Sequence, residues 1–155
     1  MGEIERDRYW LVARDKPALL RAMMVELAGN AHISFEGDLT RCEFGGQLEP
    51  NGNETFVLHR QTAFPRHGFV VLPLEVHTVQ PILDAVLPAS RYINDIVHIQ
   101  IEKMGRLEFG SYDNFHAECI VCFHGVPRTT LDRLLASGVI TSWTEPYEGA
   151  RRWHG

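Results

Sequence analysis

The 155 residues carry 45% apolar and 23% charged side chains and a formal net charge of -5, the make-up of an ordinary globular chain of one domain's length. That is too apolar for disorder, and no apolar run approaches the ~18–20 residues that a bilayer crossing takes. The acidic balance argues against nucleic acid, whose binders show a basic patch.

The opening Met1-Gly2-Glu3-Ile4-Glu5-Arg6 lacks the apolar stretch of a secretory signal. Arg8 to Ala13, rich in aromatic and branched residues, reads as a strand. Asp15 is a natural N-cap, with Pro17 tolerated in the first helical turn. Leu19, Leu20, Met23, Met24, Leu27 and Ala28 then recur at helical spacing, and Gly29-Asn30 stops the helix. Ala31, Ile33 and Phe35 alternate with His32, Ser34 and Glu36, the pattern of a half-buried strand.

The middle is less regular. Leu39 to Phe44, Thr55 to Thr62 and Phe69 to Leu74 read as extended, with Pro73 placing the last at a sheet edge. Pro50-Asn51-Gly52-Asn53 is turn chemistry. A helix is expected from Thr78 to Leu87, closed by Pro88. Val97, Ile99 and Ile101 alternate with His98, Gln100 and Glu102, which predicts a strand with one greasy and one polar face. Met104-Gly105 turns the chain into Arg106 to Phe109, and a polar loop at 110–114 leads to a strand spanning His116 to His124. Pro127 opens a third helix carrying Leu131, Leu134 and Leu135, Ser137-Gly138 ends it, and Val139 to Trp143 is a last strand.

This order predicts a single α+β domain over 1–155, ending in a polar, flexible tail at 145–155. Its sheet is expected to be mainly antiparallel with about three helices on one face, ferredoxin-like or an elaborated, duplicated variant. Three helical stripes cover one sheet face and not two, so the second face is expected to meet solvent, a ligand or another subunit. Arg151, Arg152 and Trp153 in the tail suit a docking arm.

Residues 9–39, YWLVARDKPALLRAMMVELAGNAHISFEGDL, resemble the start of an ACT-type regulatory domain, in which a strand ends at an Asp-x-Pro turn, a leucine-rich helix follows, and a second strand comes next. The resemblance implies a ferredoxin-like fold, dimerisation and small-metabolite binding at a subunit interface. The family's usual glycine after the proline is Ala18 here, so only fold and association carry over.

Cys42, Cys119 and Cys122 are an odd, low count, which suits buried thiols and a cytoplasmic protein better than a disulfide scaffold. Cys119 and Cys122 form a C-x-x-C within strand-like sequence, where residues three apart point to opposite faces. The polar faces of the two strands give the ligand-binding candidates His98, Gln100, Glu102, His116 and Glu118, with Tyr112 from the loop between them. The catalytic candidates are His98, Glu102, Asp113, His116 and His124: Asp113 would orient His116 as a general base, with Tyr112 as proton donor. No metal is expected. The residues nearest to a metal set are His116, Cys122 and His124, and same-face neighbours ~6.6–6.8 Å apart on one strand cannot chelate alone. Glu36-Gly37-Asp38 puts two carboxylates around a flexible residue, a cation site or a solvated turn. No Walker loop, G-x-G-x-x-G or G-x-S-x-G occurs, so no cofactor is expected. The preferred expectation is a non-catalytic, homodimeric module that binds a small molecule or protein partner on its open sheet face, without nucleic acid or membrane. The alternatives are a small hydrolase or lyase and a dedicated inhibitor or immunity-type protein.

Overall fold

A computed structural model describes residues 8–87 and 95–145. Its elements are β1 (Arg8–Ala13), α1 (Lys16–Leu27), β2 (Ala31–Gly37), β3 (Gly68–Leu74), α2 (Val79–Val86), β4 (Ile96–Lys103), β5 (Arg106–Ser111), β6 (Ile120–Phe123), α3 (Arg128–Ala136) and β7 (Ile140–Thr144). Short 3-10 turns occupy Gly46–Leu48 and Val76–Thr78. The strands form one antiparallel sheet of seven in the order β3-β2-β4-β5-β6-β1-β7. The α+β class and the antiparallel sheet agree with the sequence. The sheet is larger than a simple ferredoxin-like one, and β1 and β2, which flank α1, are not neighbours in it. The tail beyond Glu145 and the stop at Pro88 lie outside the described residues.

Local chemistry sets the element ends. Asp15 accepts the Ala18 amide at 3.1 Å and caps α1, with Pro17 in the first turn. At the other end Lys103 Nζ donates to the Leu27, Ala28 and Gly29 carbonyls at 3.0, 3.1 and 2.6 Å. That places a cation on the negative pole of the helix. Met104 and Gly105 both take positive φ, as a tight hairpin between β4 and β5 requires. No helix among the described residues is long and apolar enough to cross a membrane.

All three helices pack on one face, where Leu19, Met23, Ile82, Leu83, Leu131 and Leu134 meet Ile33, Phe35, Leu72, Ile99, Ile101 and Phe109 in one apolar cluster. Val97, expected in this core, is only half-buried. Glu36 pairs with His98 while Gly37 pairs with Ile96, so Val97 is the extra residue of a bulge and Ile96 takes its place inside. A side chain at Gly37 would put its Cβ 2.3 Å from the Asp95 carbonyl, which explains a glycine at this crossing.

The opposite face is not bare, and this overturns the central sequence expectation. Residues 54–62, from the long connection between β2 and β3, lie as a strap over β2 and β4 and bond to their polar side chains. Leu58, fully buried against Phe69 and Val71, anchors the strap. Farther along the same face Trp10, Tyr112, Cys119, Val121 and Phe123 form a second small apolar cluster. The stretches 39–44 and 55–62, expected as strands, belong to none. Asp38 Oδ1 bonds the Thr40 amide, and Thr55 Oγ1 bonds the Val57 and Leu58 amides. Such side-chain bonds give the backbone an alternative to a ladder.

Candidate functional site

The polar residues that alternate along β2 and β4 meet across the sheet in register: His32 opposite Glu102, Ser34 opposite Gln100, Glu36 opposite His98. All except His32 are buried, so each needs a partner. The strap supplies several of them. Glu36, 1% exposed, accepts the Gln61 amide at 2.7 Å and the Thr62 amide at 3.2 Å on its two carboxylate oxygens. Gln100 accepts the His59 amide at 3.3 Å and donates to the Tyr112 hydroxyl at 3.1 Å. Glu102 meets His32 Nδ1 at 2.7 Å and accepts the Gly105 amide at 2.9 Å.

His98 joins the strap to the turn after β5. Its Nδ1 accepts the Asp113 amide at 3.2 Å and its Nε2 lies 2.7 Å from Thr62 Oγ1. A nitrogen that accepts an amide proton carries none, which assigns the ring proton to Nε2 and makes that nitrogen the donor to Thr62. Tyr112 lies flat against Gly110, where a Cβ would come 2.6 Å from its hydroxyl oxygen. Burial raises the Tyr112 phenol above its ordinary range, partly offset by the bond from Gln100. That makes it a poor proton donor at neutral pH.

The turn itself is strained. Asp113, Asn114 and Phe115 hold φ of 51°, 55° and 58° in succession, a left-handed stretch that costs L-residues about 1–2 kcal/mol each. Surrounding bonds hold it: the Asn114 amide donates to the Val97 carbonyl at 2.8 Å, its side chain to the Ile96 carbonyl at 2.9 Å, and Lys16 Nζ to Asn114 Oδ1 at 2.6 Å. The Phe115 ring is buried in the main core.

This turn breaks up the strand expected from His116 to His124, because β6 begins only at Ile120. His116 and Glu118 sit exposed on the turn, where His116 Nδ1 accepts the Glu118 amide at 3.2 Å. They do not join His98, Gln100, Glu102 and Tyr112 in one site. Cys122 is buried under the helices, while His124 is exposed and stacks on Tyr9 at 5.7 Å. His116, Cys122 and His124 therefore do not converge, and no group of three or more His, Cys, Asp or Glu that could hold a metal occurs among the described residues.

Cys119 is the residue the turn brings to Asp113 and His116, its Sγ 3.8 Å from Asp113 Oδ2 and from His116 Nδ1. Burial and the Asp113 charge push its thiol up to about 11, and burial and the Glu108 charge push Cys122 up to about 12. Both thiols stay protonated and unreactive at neutral pH. All three cysteines are free, with Cys119 and Cys122 in apolar clusters on opposite sides of the sheet.

The outer side of the connection carries what the sequence reading missed. Phe56 and Phe64 are 95% and 91% exposed. Arg60 is tied down, its guanidinium 5.1 Å from the centre of the Phe69 ring and 2.6 Å from the His67 carbonyl. Phe56, inside a stretch read as extended, and Phe64, just beyond it, gave no signal of exposure, because only the fold shows which side of the strap is occupied. The Glu36-Gly37-Asp38 carboxylates are not paired for a cation: Glu36 holds the strap, and Asp38 Oδ1 bonds the Thr40 amide and hydroxyl at 3.1 and 2.7 Å. No known protein family, curated protein or solved structure matches the chain, so function has to be argued from this geometry.

Proposed function

We propose that the chain is a non-catalytic binding module that self-associates through the outer side of the strap, with a second copy as the occupant. One observation carries this reading: two phenyl rings, Phe56 and Phe64, stand almost wholly in solvent on either side of a stretch whose backbone is pinned to the sheet at residues 59, 61 and 62. Fully burying a phenyl side chain is worth about 1.5–3 kcal/mol, and a rigid support keeps the ordering cost of binding low. A two-fold contact brings the same patch together from both copies, so each ring finds an aromatic partner. The charge pattern favours this place. Two chains of net charge -5 repel, and the repulsion is weakest at residues 54–67, where Arg60 and Arg66 outnumber Glu54.

The Asp-x-Pro opening that resembles ACT-type domains is in keeping with dimerisation, although the flanking strands here stand apart. The hydrolase or lyase alternative has less support, because His98 and Glu102 spend their polar atoms on internal bonds. Sedimentation equilibrium tests the proposal on the full chain and on a Phe56→Ser, Phe64→Ser double variant. Wild type is expected to be dimeric at micromolar concentration, and the variant monomeric with an unchanged far-UV circular dichroism spectrum and a melting temperature that no longer rises with protein concentration. A monomeric wild type, or a variant that still dimerises, overturns it.

A further inference from the structure

Beside the strap, β2 and β3 end on two facing glycines, Gly37 opposite Gly68. Beyond them the chains separate, and a cleft of about 470 Å³ opens between 38–40 on one side and 66–67 on the other. Its size falls within the ~300–1,000 Å³ common for small-molecule sites. The floor is open because it has no side chains: a Cβ on Gly68 would come 3.2 Å from the Gly37 carbonyl and 3.3 Å from Leu39 Cγ.

The charges in the cleft are unequal in what they have left to give. Thr40 donates both its hydroxyl and its amide to Asp38, and these bonds, with smaller help from Arg41 and His67, hold that carboxyl below its usual range. Asp38 therefore stays ionised with its Oδ1 turned to Thr40, and its charge leaves only the Arg66 side of the cleft to an anion. Arg66 also lines the cleft, is exposed, and makes no hydrogen bond or ion pair with any described residue. A planar guanidinium with free donors matches an oxyanion in a two-point contact. Next to it lie the Leu39 side chain and the bare glycine floor, which offer a carbon skeleton apolar contact and few further donors. One arginine beside Leu39, with the Asp38 carboxylate on the same lining, suits a singly charged anion with an apolar body better than a doubly charged phosphate.

We propose that this cleft binds a small organic carboxylate, its charged end on Arg66 and its carbon body over Gly68 and Leu39. The site uses neither Phe56 nor Phe64, and because Arg66 also belongs to the stretch proposed for self-association, the titration on the Phe56→Ser, Phe64→Ser variant separates the two.

The test is an amide chemical-shift titration of the full chain with benzoate, with inorganic phosphate as the second arm, repeated on the Phe56→Ser, Phe64→Ser variant. Benzoate is expected to shift the Gly37, Leu39 and Gly68 amides saturably in both proteins, and phosphate to bind at least tenfold more weakly. Arg66→Gln should weaken benzoate at least tenfold with the remaining spectrum unchanged, and Gly68→Ala should weaken it by filling the floor. Shifts that do not saturate, an Arg66→Gln protein that titrates like wild type, or phosphate that binds as tightly as benzoate would each overturn the assignment.

Discussion

The two faces of the sheet are closed by different physics. Under the helices, leucines, isoleucines and phenylalanines interlock without directional bonds, and any residue of the right shape and greasiness serves. On the other face an irregular strap is fixed over β2 and β4 by amides and a hydroxyl that meet buried polar side chains one by one. Only residues with acceptors at those points serve there. Closing a face with bonds leaves the outer side of the strap free to carry whatever residues function selects, and here Phe56 is exposed on it with Phe64 just beyond its end.

Phe35 and Glu36 put the comparison on adjacent residues of one strand, nearly equal in burial and opposite in direction. Phe35→Ala should cost about 3–5 kcal/mol in denaturant unfolding, the price of a core cavity, with the strap still seated. Glu36→Ala should cost less, about 2–3 kcal/mol, from amides left without an acceptor. The smaller loss should be the more local one: proteolysis within 54–67 is expected to accelerate in Glu36→Ala and not in Phe35→Ala under native conditions. Equal strap cleavage in both would erase the distinction between the faces.

The thiol at the far edge of the strap-side face sharpens it further. Cys119 at about 11 against an ordinary value of 9.0 means about a hundredfold less thiolate at neutral pH. A raised value delays ionisation, so its iodoacetamide reaction, followed by mass spectrometry, should keep rising tenfold per pH unit through pH 10. A free cysteine levels off near 9. A Cys119 that alkylates at pH 7.5 like free cysteine would mean that this side of the sheet is open to solvent.

Periodicity made the strands, the three helices and the capping by Asp15 legible, because each depends on neighbours a few residues away. The same alternation along 97–102 was misleading on two counts. Two of its polar residues, His98 and Gln100, are covered by a segment about forty residues earlier in the chain, and a bulge at Val97 puts Ile96 into the core in its place. Polarity announces a need for partners, and water and a strap satisfy that need equally well in a sequence. The His116 to His124 stretch failed for a related reason: its strand composition is overruled by a left-handed turn whose bonds come from Lys16, Ile96, Val97 and His98. Of the site residues expected from sequence, His98, Gln100, Glu102 and Tyr112 share one bonded strip, whereas Arg66 and the two exposed phenylalanines had no periodic signature.

Amide hydrogen exchange at Gln61 and Thr62 reads the seating of the strap directly. With Glu36 holding both amides, they should exchange at least a hundredfold more slowly than an unstructured peptide and lose that protection in Glu36→Ala. Exchange of Gln61 and Thr62 in the wild-type protein at the rate of an open loop would contradict the account.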